Sequence, residues 1–240
     1  MNWRDEVKSR GVVPPMLASS VARRALAAVL ALAMCLGAYP AQASSPAGDS
    51  LLSLLDRVRI VAAPGYHPGY DRSCDPGACV FGSPWTDAHA GPYGHNGCTT
   101  REDVLLRQMR HIEMRWGSDC RIYQAKLRDP YTGERLNWRD DGYFIQIDHV
   151  YPLSRAWHEG AWAWTQRRRV RFANDVEREL WAVSARANQA KLGATPAQWM
   201  PPWRRTWCRY LRAYLKVAKA YDLPVTAADA RVVRRVAPTC

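Results

Sequence analysis

The chain has 240 residues, 48% of them hydrophobic and 23% charged, with a formal net charge of +12. That length holds one sizeable domain or two small ones and excludes a larger multidomain assembly. The positive balance favours a polyanionic partner, either nucleic acid or an anionic surface polymer.

Arg23 and Arg24 precede the apolar run "ALAAVLALAMCLGAY", which leads into "AQASS". A basic start, a short apolar core and a small-x-small site predict a secretory signal, with Ala41-Gln42-Ala43 before the cut. The run is about 14 residues, short of the ~20 that a spanning helix needs, so it is not read as an anchor. Residues 1–43 are therefore expected to be a leader and signal peptide, with Met16 as an alternative start. The mature protein is expected to be extracellular, with no membrane segment. Removing this segment takes five basic and two acidic side chains, so the remainder stays strongly basic. Residues 44–97 are expected to be an N-terminal helix and a long loop, and 98–240 the main domain.

Cys35 leaves with the signal, and Cys74, Cys79, Cys98, Cys120, Cys208 and Cys240 remain. An even count in an exported chain predicts three disulfides. The turn sequence "DPGA" favours Cys74–Cys79. Cys98 and Cys120 bracket a predicted helix, and Cys208 and Cys240 bracket the C-terminal helices. No C-x-x-C pair occurs, which argues against structural zinc.

Residues 51–61, "LLSLLDRVRIV", predict a short amphipathic helix. The stretch 62–97 is dense in Gly, Pro, Asp and aromatics and reads as a stapled loop. Thr99 and Glu102 have capping-box spacing, opening a helix with Val104, Leu105, Met109, Ile112 and Trp116 on one face. "DPYTG" between two extended runs predicts a hairpin. Segment 143–153 reads as a strand ending in Asp148 and His149. A Trp- and Arg-rich helical stretch follows, then a short strand "ELWAVS" and a helix "ARANQAK" closed at Gly193. The last elements are two helices, the second capped by Thr226.

The Asp-His pair carries the chemistry. Successive side chains of a strand point to opposite faces, so Asp148 and His149 can flank a substrate. Phosphodiester hydrolysis needs a cation near the leaving oxygen and a base on the attacking water. Asp suits a hard cation such as Mg²⁺. A neutral imidazole, of ordinary pKa about 6.5, can take the proton. Downstream, Asn174 in "FANDV" and Asn188 with Lys191 in "ANQAK" add groups that can orient an imidazole or bind a metal.

The runs "DHVYPLSRAW", "RRRVRFANDV", "LWAVSARANQAKLG" and "PAQWMPP" resemble the HNH endonucleases of the ββα-metal fold. The closest variant is the GmrSD-type C-terminal HNH domain, found also in secreted bacterial proteins. The likeness covers roughly 98–240. It implies an α+β fold: a ββα-metal core with a preceding hairpin and surrounding helices, stapled by disulfides. It implies that His149 is the general base, that Asp148 and Asn188 hold one divalent cation (Mg²⁺, with Mn²⁺ as an alternative), and that Asn174 orients His149. Lys191 stands where the family often has a basic residue near the phosphate. Many relatives have an aliphatic residue at Tyr151 and Gly-Asp at Leu192-Gly193. The first departure reads as a packing change; the second removes an acidic group.

Trp157, Trp162 and Trp164 with Arg167, Arg168, Arg169 and Arg171 could contact bases and phosphates. The plainer reading buries at least two of the tryptophans and leaves the arginines on a solvated face. Arg167, Arg168, Arg171 and Arg101 are the candidate nucleic-acid contacts. The expected activity is hydrolysis of DNA, with RNA as an alternative, and no protein partner is implied. The competing readings are a non-catalytic module holding an anionic polymer and a metal-dependent phosphoesterase of other specificity.

Overall fold

The computed structural model describes residues 45–240, and the expected signal at 1–43 lies outside them. Ser45 caps helix α1 (Pro46–Leu55), accepting from the Gly48 N–H, and Leu51 and Leu55 are buried. The helix stops earlier than its periodicity predicts. Ile60–Val61 instead forms strand β1, parallel to β7 (Val225–Thr226) near the other end of the chain.

Helix α2 (Thr100–Gln108) has the expected capping box between Thr99 and Glu102. It too ends early. Residues Arg110–Met114 are strand β2, so the helical face read through Ile112 and Trp116 is not helical, and Trp116 is fully exposed. β2 pairs with β3 (Ile122–Arg128), and β3 with β4 (Arg135–Asn137) across the "DPYTG" turn, as an antiparallel sheet. Apolar residues at 3.6-residue spacing cannot settle helix against strand once sheet pairing is available nearby.

β5 (Ile145–His149) pairs antiparallel with β6 (Leu180–Ser184), and helix α5 (Ala185–Lys191) follows directly. Between the two strands lie α3 (Leu153–His158) and α4 (Gln166–Ala173). The fold is thus α+β, with a ββα unit inside it. α6 (Trp207–Tyr221) and α7 (Ala227–Val236) complete the chain, the latter with a capping box between Thr226 and Asp229. Cys74–Cys79, Cys98–Cys120 and Cys208–Cys240 are all disulfide-bonded, in the expected pairs.

The β5–β6 ribbon separates two apolar clusters. Ile145, Ile147, Leu180 and Ala182 face Val104 and Leu105 of α2. Trp181 and Val183 face the larger cluster, which takes in Leu51, Leu55, Phe81, Tyr131, Tyr210 and Leu215. The N-terminal segment therefore shares a core with the rest, and the described residues 45–240 form one compact unit.

A two-stranded ribbon leaves unpaired backbone groups on its outer edges, and buried ones need partners. Gln108 supplies them for β6: its Nε2 donates to the Leu180 carbonyl at 2.7 Å, and its Oε1 accepts from the Ala182 N–H at 2.9 Å. The carboxamide acts as one rung of a missing strand. Arg101, two turns earlier on α2, donates to the Ile145 carbonyl at 2.8 Å.

Two stability outcomes follow. Gln108→Ala strands two backbone groups and should cost about 2–4 kcal/mol in urea unfolding. Leu192, at the C-cap of α5, has φ 49° and ψ −128° and is largely exposed. Glycine alone tolerates that conformation without strain, so Leu192→Gly should raise stability by about 1 kcal/mol by the same measurement.

Candidate active site

Asp148 and His149 end β5, and both line a cleft of about 540 Å³. Asn188, Gln189 and Gln146 line it from the ββα unit, Arg101 from α2, and Tyr70, Arg72 and Trp85 from the N-terminal loop. Asp148, His149 and Asn188, far apart in sequence, thus share one space.

Strand alternation sends the two side chains to different faces. Asp148 stands opposite Trp181 in the ribbon, on the side of the larger core. There Lys191 Nζ lies 3.0 Å from its Oδ1 and 2.9 Å from its Oδ2. The Tyr131 hydroxyl donates to Oδ2 at 2.5 Å. Lys191 also donates to the His149 carbonyl at 2.8 Å. Burial pushes the Asp148 carboxyl above its usual range, opposed by Lys191 and by the Tyr131 hydrogen bond. An unpaired charge at such depth would be costly, and the ion pair offsets that cost.

Tyr131 is delivered by the hairpin turn. Buried Asp129 accepts from the Tyr131 N–H and from the Thr132 hydroxyl, each at 2.8 Å. Gly133 has φ 76°, and a Cβ there would meet the Trp203 ring at 2.9 Å, so both conformation and space require glycine. The "DPYTG" motif therefore holds a side chain of the site as well as reversing the chain.

His149 faces the other way. Its Nε2 lies 2.9 Å from the Ala173 carbonyl. A carbonyl only accepts, so Nε2 carries the proton and the neutral ring keeps its lone pair on Nδ1. Trp85 stacks over the imidazole with centroids 5.7 Å apart and planes 15° apart. Burial lowers the His149 pKa to about 3, against the raising effect of the Ala173 bond. The ring is thus neutral at physiological pH. Trp85 is itself held by α2: Thr100 N–H donates to the Trp85 carbonyl and the Thr100 hydroxyl to that of Thr86.

Several expected roles move. The group that orients His149 is the Ala173 carbonyl, one residue before Asn174. The Asn174 side chain donates instead to the Val170 carbonyl, and its Oδ1 is buried without a partner. Lys191 is 1% exposed and spent on Asp148 and the His149 carbonyl, so it is not a phosphate contact on the cleft wall. Asn188 Nδ2 donates to Gln146 Oε1 at 2.9 Å, which turns its amide group alongside β5. Arg101 lines the cleft as expected, but Arg167, Arg168 and Arg171 do not. Arg168 binds the Tyr221 carbonyl, and Arg167 borders a separate cavity with His89 and His95. Of the three tryptophans, Trp157 is buried, Trp164 packs against the core and Trp162 is exposed.

Tyr131, Arg72, Trp85 and Gln146 were not singled out by sequence. Glu179 belongs with them: it is fully buried, both its oxygens accept from the Tyr151 N–H, and burial drives its pKa well up. Tyr151 stacks on Tyr214 at 4.9 Å and donates to the Pro224 carbonyl, which makes its departure from relatives a matter of packing.

Among the described residues no group of three or more His, Cys, Asp and Glu converges. The oxygen-bearing side chains at the cleft include the Asp148 carboxylate, the amides of Asn188, Gln146 and Gln189, and the Ser154 hydroxyl. Asp148 Oδ1 accepts one hydrogen bond here and has a second lone pair. That donor set fits a hard cation which keeps most of its water and binds few protein oxygens.

A family model described as GmrSD restriction endonucleases, C-terminal domain, matches residues 99–236. The chain belongs to that family. It is also 38% identical over 144 residues to a protein of Arthroderma benhamiae named "Uncharacterized secreted protein", covering 60% of this chain and 68% of that one. No solved structure matches.

The ion pair yields a sharp outcome. Lys191→Met leaves a buried carboxylate unpaired and should cost about 3–5 kcal/mol in chemical unfolding. Adding Asp148→Asn should recover a large part of that loss, as a double-mutant cycle would register.

Proposed function

We propose that this protein is an exported, metal-dependent endonuclease that hydrolyses DNA phosphodiester bonds. The observation that carries the reading is the His149 ring: its Nε2 is tied to a backbone carbonyl, so its basic Nδ1 is left for a cleft that also holds Asp148, Asn188 and two guanidinium groups. Membership of a restriction-endonuclease domain family supports the same chemistry. The disulfides and the secreted relative support an extracellular setting. Among the described residues no helix is long and apolar enough to cross a membrane.

Asp148 and Asn188 would hold the cation, taken to be Mg²⁺, through one oxygen each. When bound, it neutralises charge developing on the leaving oxygen. The chain's own groups do the rest. Arg72 and Arg101 attract and seat the phosphate. His149 Nδ1 takes a proton from a water as the new O–P bond forms and the old P–O bond breaks. The leaving oxygen is protonated from solvent. Trp85 stacks on the imidazole and holds its plane in place, and Lys191 with Tyr131 fixes the carboxylate. Asn174 backs this wall, since it borders the same small cavity as His149 and Ala173.

The test is plasmid cleavage by the purified mature protein. Nicking in Mg²⁺ or Mn²⁺ that stops with EDTA is the expected result. His149→Ala should lower the rate by about 10²–10⁴-fold with the fold intact by circular dichroism. A plasmid left whole in every divalent cation would overturn the nuclease reading, and equal cleavage by His149→Ala would remove His149 from the mechanism.

A further inference from the structure

Away from the cleft, α6 borders a second concavity of about 960 Å³. Its basic lining is Arg178, Arg205, Arg209, Arg212, Lys216 and Lys219, against a single lining carboxylate, Glu177. Four of these side chains sit on α6 at positions 209, 212, 216 and 219. That spacing of three, four and three residues makes one stripe along the helix.

The six are not equivalent. Arg178 is engaged with Asp175 at 3.4 Å and Glu177 at 3.7 Å. The Arg209 guanidinium rests 4.8 Å over the Trp181 ring, and Arg212 donates to the Ala47 carbonyl at 3.0 Å. Arg209 and Arg212 are therefore held in place, and among the described residues neither forms an ion pair with a carboxylate. Arg205, Lys216 and Lys219 are exposed, and none pairs with a carboxylate among the described residues. So much like charge on one wall repels itself, and it is tolerated where an anionic partner covers it.

We propose that this groove is a second nucleic-acid contact, one that holds the phosphate backbone of a DNA duplex outside the cleft. The α6 stripe runs about 15 Å at 1.5 Å per residue. One DNA strand presents a phosphate every ~3.4 Å of helix axis, so the stripe spans about four of them. The groove is concave, and its apolar lining is limited to small or recessed groups such as Leu54, Ala213 and Ala220 beside Trp181. A membrane-surface helix would instead present large apolar side chains to insert. Trp181 connects the two regions: it floors the groove and stands opposite Asp148 in the β5–β6 register. The biological purpose of the groove rests on the nuclease reading, but its binding does not.

Binding is measured in EDTA with a fluorescent DNA duplex over a series of salt concentrations, so that cleavage plays no part. Arg205→Ala/Lys216→Ala/Lys219→Ala, three exposed positions, should weaken binding at least tenfold at low salt. It should also reduce the slope of log affinity against log salt by about 2–3. A control with the same loss of charge, Arg110→Ala/Arg121→Ala/Arg135→Ala, exposed positions on the β2–β4 sheet and just before β3, should keep the parent slope. The proposal is overturned if the groove variant keeps the parent slope, or if both variants lose it equally, since bulk charge would then suffice. It is also overturned if the groove variant loses binding to phosphatidylserine vesicles while duplex binding persists. A parent that never cuts plasmid but shows the groove-specific loss removes the nuclease reading and leaves the groove standing.

Discussion

The contact between Asp148 and Lys191 is the constraint on which the rest of this site depends. It joins the end of β5 to the end of α5 across the ββα unit, and Tyr131 reaches the same carboxylate from the hairpin turn. A carboxylate at that depth survives ionised only if partners replace the water it has lost. Three segments of the chain must converge to supply them. The same lysine also grips the His149 carbonyl, so the backbone between the acid and the base is fixed along with the acid. Removing the lysine would therefore disturb the geometry of the base as well as the charge of the acid.

A second consequence concerns the N-terminal loop. Arg72 and Trp85 lie outside the stretch matched to the family, yet one brings a guanidinium to the cleft and the other covers the imidazole. The loop has little regular structure and contributes only Val80 and Phe81 to the buried apolar core. Cys74–Cys79 staples it, and Arg169 ties it to α4 through the Val80 carbonyl at 2.6 Å. Disulfides in such segments limit the freedom of the unfolded chain more than they add contacts. The segment works as a wall of the cleft.

The elements that were legible in the sequence are those governed by near neighbours. The Thr99–Glu102 and Thr226–Asp229 helix starts and the "DPYTG" turn depend on local hydrogen bonds, and the strand start at 145–147 shows in its apolar–polar alternation. The extents of α1 and α2 were not legible, because residues 60–61 and 110–114 pair with strands remote in sequence. A periodic apolar pattern says that a face is buried and leaves open what buries it. Likewise, Asn174 sits in a suggestive motif, but the His149 ring donates to its neighbour's carbonyl, and a backbone group carries no mark in sequence.

The sequence by itself determined the chemical inventory: an acid and a base side by side at a strand end, amides and a lysine downstream, paired cysteines, and a surplus of positive charge. Tertiary structure alone decided which of those groups meet. It turned Lys191 inward to Asp148, gave the orienting bond to Ala173, brought Arg72 and Trp85 to the cleft, and sent Arg168 to the Tyr221 carbonyl. The physical reason is that residue type fixes what a side chain can donate, accept or carry. Which partner it finds, and how much water it loses in finding it, depends on packing between segments tens of residues apart.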